Sequence, residues 1–94
     1  PIDVRIRMPP GSTFRVTIKT DVEVQVNKPV RVEHDGTRTE YKPGTHLRIP
    51  PGSEVRFEVD TDVEFRFKVT DPETVKEMEE HAREHGLEYE TRSD

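Results

Sequence analysis

Apolar and polar residues alternate with a period of two along most of residues 2–69. Apolar side chains occupy every second position in runs such as Ile2–Met8, Phe14–Ile18 and Val63–Val69, and charged residues or threonine fill most of the positions between them. Alternation over four to eight residues is typical of a strand with one buried face and one solvated face. The pattern therefore predicts a mainly β protein built from antiparallel strands.

The alternating region is organised as two copies of one segment. Residues 5–26 align without a gap with residues 46–67 at an offset of 41, and ten of the 22 aligned positions are identical. Each copy contains a Pro-Pro-Gly-Ser segment between two runs of alternation. A repeat this close in a short chain predicts a β architecture with internal pseudo-twofold symmetry.

The two copies differ in where they place their large core residues. Phe14 and Val16 of the first copy are replaced by Val55 and Phe57 in the second copy. Protein interiors are close-packed, so an exchange of large and small residues conserves volume only if the exchanged positions are neighbours. We therefore expect these four side chains to meet near the pseudo-twofold axis.

The turns between the strands are of two kinds. Asp35-Gly36 predicts a two-residue hairpin, because both central positions of a type I′ turn require positive φ. Thr20-Asp21 does not fit a tight hairpin, because that register would place the polar Lys19 opposite Val22 on one face. We therefore expect a β-arc there and at Thr61-Asp62, in which the chain crosses from one sheet to the facing sheet.

The C-terminal part of the chain departs from the alternation. Asp71 is a suitable N-cap before Pro72, and Gly86 is a natural stop, so a helix is predicted over about residues 72–85. Its narrow apolar stripe consists of Val75, Met78 and Ala82. Residues 87–92 alternate again and predict a last strand at a sheet edge. Residues 1–94 are expected to form a single domain.

Composition and charge narrow the classes of partner. The chain has no cysteine, which excludes disulfides and thiolate chemistry and leaves the compartment unknown. The net charge of −5 is concentrated in residues 71–94, which hold 3 basic and 9 acidic residues. An acidic segment disfavours nucleic acid and anionic membranes. We expect no cofactor and no obligatory partner, and a soluble monomer, with pairing of an exposed edge strand as the alternative.

The turn motifs of residues 30–57 resemble those of the cupin family, whose fold is the double-stranded β-helix or jelly roll. Asp35-Gly36, Pro43-Gly44 and Ile49-Pro50-Pro51-Gly52 follow one another in the order and spacing of that family. The resemblance implies a small antiparallel jelly-roll barrel, followed by one helix and a last strand. A distorted antiparallel barrel of another topology is the rival fold.

The same resemblance implies where a metal would be held. Metal-dependent cupins place a His-X-His pair after the first turn and a further histidine after the Pro-Pro-Gly turn. The corresponding positions here are Phe14, Val16 and Val55, all of which are expected in the core. The metal site of the family is therefore not carried over, and neither is its oxygenase or isomerase chemistry.

The composition also resembles that of de novo designed β proteins. The chain contains one Asn, one Gln and one Ala but twelve Val, and its solvent-facing strand positions hold mostly Arg, Lys, Glu and Thr. Each turn contains the residue types that are preferred for its backbone geometry. This resemblance implies a thermostable scaffold.

Four residues of the predicted hairpin form a polar patch on the inward face: His34, Thr37, Thr39 and Tyr41. Pockets combine a few convergent polar groups with an apolar lining, so this patch is the candidate wall of a ligand site. The alternative is that the hairpin overhangs the core and these side chains contact water.

The remaining histidines are weaker candidates. His81 and His85 are four residues apart on the predicted helix, a spacing that lets two imidazoles share a metal. Positions at a helix end and on the surface also explain them, because a partly positive side chain favours the C-terminus of a helix. His46 is predicted to face solvent.

Three functions follow from these observations. The first is an idealised scaffold that is not an enzyme, since no nucleophile–base pair can be identified in the sequence. The second is a barrel that binds a small molecule near residues 34–41. The third is a degenerate metal-dependent cupin enzyme that uses histidine ligands.

Overall fold

The computed structural model describes residues 1–93 and has nine strands and one helix within them. They are β1 (Ile2–Met8), β2 (Thr13–Thr17), β3 (Val22–Val26), β4 (Val30–His34), β5 (Thr37–Tyr41), β6 (Leu47–Ile49), β7 (Glu54–Glu58), β8 (Val63–Val69), α1 (Pro72–Glu84) and β9 (Glu88–Ser93). Sheet A has the order β6-β3-β8-β1-β9, and sheet B has the order β2-β7-β4-β5. This arrangement of two antiparallel sheets confirms the predicted mainly β jelly roll.

The chain crosses between the two sheets at almost every connection. Strands β1, β3, β6 and β8 belong to sheet A and alternate along the chain with members of sheet B. The predicted arcs at Thr20-Asp21 and Thr61-Asp62 are confirmed, because each joins a strand of sheet B to a strand of sheet A. The predicted hairpin is also confirmed: Asp35 and Gly36 have φ of 50° and 79°, and His34 lies opposite Thr37.

Strand pairing in sheet A follows the offset of 41 residues. Val22 lies opposite Ile49 where β3 meets β6, and Met8 lies opposite Val63 where β1 meets β8. Adding 41 to Met8 gives Ile49, and subtracting 41 from Val63 gives Val22, so the repeat converts the second of these pairs into the first. In the four strands β6-β3-β8-β1, the two outer strand pairs therefore have the same register. Strand β9 pairs with the other side of β1 and lies outside this symmetric unit.

The large core residues meet where the two copies face each other in sheet B. Phe14 lies opposite Phe57, and Val16 lies opposite Val55. All four side chains are fully buried. The expectation that these positions meet is confirmed, and the exchange leaves one pair of phenylalanines beside one pair of valines instead of two mixed pairs.

The two Pro-Pro-Gly-Ser turns extend the β2–β7 pairing at both ends. The amide of Gly11 donates to the carbonyl oxygen of Val59 at 2.9 Å, and the amide of Gly52 donates to that of Ile18 at 2.7 Å. The two glycines have φ of 81° and 85°, in the left-handed region. Side chains with a Cβ are strained there, so glycine is required at both turns.

Helix α1 is held by its ends and packs beside β2. The Asp71 side chain accepts a hydrogen bond from the amide of Glu73 and a second, at 3.0 Å, from the Thr74 hydroxyl. At the C-terminus, the amide of Leu87 donates to the carbonyl oxygen of Ala82 at 2.8 Å, which is the Schellman arrangement. No helix within residues 1–93 combines the length and apolar character needed to cross a membrane.

The helix occupies the place that the pseudo-symmetry would give to another strand. Strand β4 pairs with the free side of β7, and α1 lies against β2, the counterpart of β7. The helix also contacts β1, β8 and β9, and it buries the predicted stripe of Val75, Met78 and Ala82. It covers one side of the β body, whereas the β4–β5 hairpin extends the other side.

We expect Gly11→Ala and Gly52→Ala each to lower the free energy of unfolding by about 1 kcal/mol, because alanine is strained at positive φ. The two losses should be similar, since the turns make corresponding hydrogen bonds. Urea denaturation measures both. Ser93→Ala, on the exposed last strand, is the control and should stay within about 0.5 kcal/mol of the parent. Glycine variants as stable as this control would contradict the argument.

Candidate functional site

The predicted polar patch lies on one face of the β4–β5 hairpin. The register places Val32 opposite Thr39 and Val30 opposite Tyr41, so the three residues of β5 share the face of the buried valines. Val30 and Val32 are buried in the core. The hairpin thus aligns the four candidate side chains along one surface, as the sequence predicts.

The surface formed by these side chains is open. Thr37 and Thr39 are exposed, while His34 and Tyr41 are half-buried. Strand β5 is the edge of sheet B, and sheet A ends in the three-residue strand β6. The hairpin therefore overhangs the core at Thr37 and Thr39, and these residues contact water. Ligand binding by the four residues stays a prediction.

The four histidines do not form a single cluster. His34 has its Nε2 atom 3.4 Å from a carboxylate oxygen of Asp35, and His46 has its Nδ1 atom 2.7 Å from a carboxylate oxygen of Glu23. The rings of His81 and His85 are stacked with centroids 6.4 Å apart. Within residues 1–93, no three His, Cys, Asp or Glu side chains come together in a way that could hold a metal ion.

His81 has an apolar neighbour in place of a ligand partner. Its ring centroid lies 6.0 Å from that of Phe14 at an angle of 80°, an edge-on aromatic contact. This contact links α1 to β2. The structure therefore gives His81 a packing role between the helix and the sheet, which neither the metal nor the surface interpretation of the sequence included.

The positions at which the cupin resemblance places metal ligands are occupied by core side chains. Phe14, Val16 and Val55 are fully buried. Next to them, the ring of Phe57 lies 5.0 Å from that of Phe65 and 5.7 Å from that of Phe67, between centroids. Such edge-on contacts fill the space between the two sheets with aromatic carbon. These side chains offer no donor atom for a metal or a polar substrate.

The outer face of sheet B carries a continuous chain of ion pairs. We call it the charge chain, and its members in order are Arg38, Glu33, Arg56, Glu58, Arg31 and Asp60. The successive nitrogen–oxygen distances are 3.3, 3.1, 3.2, 3.6 and 2.8 Å. The sequence predicts cross-strand ion pairs from alternating Arg and Glu, but not this order, which depends on β4 lying between β5 and β7.

A shallow depression of about 190 Å³ lies beside the charge chain on the outer face. Its lining includes Arg15 and Arg56, which lie directly opposite each other on β2 and β7. Arg15 is 3.4 Å from Glu54, and Arg56 is paired with Glu33. Each guanidinium already has a carboxylate partner, and Asp35 adds a third carboxylate to the lining. The depression therefore carries an excess of negative charge, and its two guanidiniums are not free to bind an anion.

Two carboxyl groups at the surface have a displaced pKa. A hydrogen bond from Arg66, 3.0 Å away, lowers the pKa of Asp3 below 3.8, although partial burial opposes the shift. A hydrogen bond with His46 lowers the pKa of Glu23 below 4.5, again against some desolvation. Both shifts favour the charged carboxylate, which suits an ion pair and not a general acid.

No family model and no curated protein matches the chain. Solved structures do share its fold. A de novo designed double-stranded β-helix, determined by solution NMR, superposes with a TM-score of 0.61 and 27% sequence identity over 70% of this chain and 95% of that chain. The chain therefore has the cupin-like double-stranded β-helix fold that its turn motifs imply.

A natural protein gives the second comparison. The crystal structure of a predicted oxalate decarboxylase from Thermotoga maritima superposes with a TM-score of 0.59 and 21% identity over 69% of this chain. The chain spans 61% of the length of that protein. At this identity the comparison concerns the fold alone.

The two lowered pKa values predict how stability depends on pH. A carboxyl whose pKa is lower in the folded state than in the unfolded state stabilises the folded protein. This contribution is complete at pH values above the unfolded pKa and is lost as the pH falls through the folded pKa. Stability should therefore decrease on acidification below the ordinary pKa values of 3.8 and 4.5. Urea denaturation over a series of pH values measures the decrease.

Two substitutions separate the contributions of the two carboxyls. Arg66→Gln should return the pKa of Asp3 towards its ordinary value and leave that of Glu23 low. His46→Gln should do the reverse. NMR titration of the carboxyl carbons measures both values in each variant. An Asp3 pKa that stays low in Arg66→Gln would refute the assigned cause.

Proposed function

We propose that this protein is an idealised β scaffold that is stable without a ligand and has no catalytic activity. The observation that carries the proposal is the filled interior. The three positions at which the cupin resemblance places metal ligands, Phe14, Val16 and Val55, are fully buried hydrophobic residues. Three further phenylalanines fill the space beside them: Phe57, Phe65 and Phe67. A ligand could enter this space only by displacing side chains that are packed at interior density.

The charged groups support the same proposal. Catalytic acids and bases are usually found in clefts, with a pKa moved towards the working pH. Here Asp3 and Glu23 have their pKa moved away from neutrality, and each is paired with a basic side chain at the surface. Carboxylates that a basic partner holds in the charged form are suited to ion pairs and not to proton donation.

The similarity to a designed double-stranded β-helix also supports the proposal of a scaffold. The 27% identity extends over 95% of that designed protein. The enzyme comparison, at 21% identity, concerns the fold alone, and Phe14, Val16 and Val55 stand where the cupin resemblance places metal ligands. Binding of a small molecule at the hairpin is not part of the proposal, since Thr37 and Thr39 contact water.

The proposal predicts that thermal stability does not depend on metals. The melting midpoint, followed by circular dichroism, should be the same in buffer, with EDTA and with added Zn²⁺ or Ni²⁺, and should lie above about 90 °C, as expected of an idealised scaffold. A ligand that binds the native state raises the midpoint. A midpoint that rises with metal and falls with EDTA would contradict the proposal and direct attention to the four histidines.

The filled interior also predicts a large cost for removing a central ring. Phe57→Ala should lower the free energy of unfolding by about 3–5 kcal/mol, because it removes buried apolar surface and leaves a cavity. Tyr89→Ala, on the exposed strand β9, is the aromatic control and should cost much less. A Phe57→Ala variant as stable as the control would mean that the interior is not tightly packed.

A further inference from the structure

Strand β5 presents a free backbone edge over its whole length. It pairs with β4 on one side and is the last strand of sheet B. In a two-residue hairpin the residues that flank the turn, here His34 and Thr37, form a hydrogen-bonded pair, and the pattern alternates from there. The backbone amide and carbonyl groups of Arg38 and Glu40 therefore point away from β4, towards the open edge.

The charged side chains of the β5 edge are complementary to those of the same edge on a second copy of the chain. Two copies of β5 can pair antiparallel about Thr39, which places Arg38 of each copy opposite Glu40 of the other. In this register the outward backbone groups of these two residues form hydrogen-bonded pairs, and both cross-strand charge pairs are favourable. Shifting the register by two residues in either direction aligns Arg38 with Arg38 or Glu40 with Glu40, which is unfavourable.

The surroundings of the two side chains favour the same pairing. Arg38 ends the charge chain, and its side chain is 64% exposed. Among residues 1–93, Glu40 has no basic side chain within 4.0 Å. Pairing of two copies would supply the partner that Glu40 lacks and would continue the charge chain of one copy onto the other.

The inward face of β5 gains contacts in the same register. Thr39 would meet Thr39 of the second copy, and Thr37 would meet Tyr41. Cross-strand threonine pairs and pairs of an aromatic with a β-branched residue are favourable in antiparallel sheets. This register also gives the half-buried ring of Tyr41 a neighbour that the monomer does not provide.

The other sheet edges are less suited to self-pairing. The edge of β2 lies beside α1, and β6 has only three residues. Strand β9 has two acidic residues and one basic residue between Glu88 and Ser93, so two copies of it would bring an excess of negative charge together. Strand β5 carries one charge of each sign.

We infer that β5 is a self-association surface whose partner is a second copy of this chain. The contact is isologous, so two copies form a closed dimer with a continuous eight-stranded sheet, and the hairpin that overhangs one monomer becomes the centre of the assembly. The pairing extends a sheet through backbone hydrogen bonds, and the charges set its register.

Charge-reversal variants of β5 test the inference. Sedimentation of the purified parent and variants, from micromolar to millimolar concentration, measures dimerisation. The parent should show a concentration-dependent dimer. Arg38→Glu and Glu40→Arg should each weaken dimerisation about tenfold or more, because two attractive pairs become two repulsive pairs. Mixing these two variants should restore a dimer that contains one copy of each. A parent that stays monomeric throughout, or variants that do not recombine, would overturn the inference.

A backbone variant separates edge pairing from other modes of association. Glu40→Pro removes an amide that points outward and should abolish the dimer, while the monomer keeps its melting transition. Arg92→Glu changes the edge strand β9 and is the matched control, which should dimerise like the parent. A dimer that survives Glu40→Pro, or one that Arg92→Glu disrupts instead, would place the contact elsewhere and overturn the inference.

Discussion

The constraint on which the rest of the structure depends is that each sheet buries only one face, so alternate residues must supply the whole core. Inward side chains have even numbers from Ile2 to Val32 and odd numbers from Thr37 to Val69. The connections that cross between sheets within each of these ranges preserve the parity. The β4–β5 hairpin, which stays in one sheet, reverses it, as an antiparallel two-residue hairpin must. The offset of 41 is odd, so the two copies have opposite parity.

The pseudo-twofold relation creates a second constraint, because corresponding residues face each other at the axis. On the inner face, the exchange of Phe and Val between the copies fills the space with one large pair and one small pair. On the outer face, Arg15 and Arg56 meet as like charges, and flanking carboxylates neutralise each of them. In sheet A the symmetry is broken instead, since Gln25 lies opposite Arg66. We propose that a core filled in this way sustains the fold without a ligand.

Sequence reasoning predicted the features that depend on local chemistry. The alternation, the type I′ turn at Asp35-Gly36, the arcs and the helix stop at Gly86 follow from backbone conformation and parity, and the structure contains all of them. The placement of α1 beside β2 and the overhang of β5 were not predictable, because they depend on which sheet edges remain uncovered after folding. The charge chain was missed for the same reason. The ligand role of His34, Thr37, Thr39 and Tyr41 stays a prediction.

Amide hydrogen exchange of the metal-free protein, followed by NMR in the presence of EDTA, tests the central claim that the packed interior alone sustains the fold. Amides of β7, β3 and β8, and those amides of β2 that bond to β7, should exchange most slowly, with a common free energy equal to that of global unfolding, since these strands enclose the phenylalanines. Amides of β5 should exchange faster. Rapid exchange of the amides that join β2 and β7, or protection there that appears only when metal is added, would contradict the account.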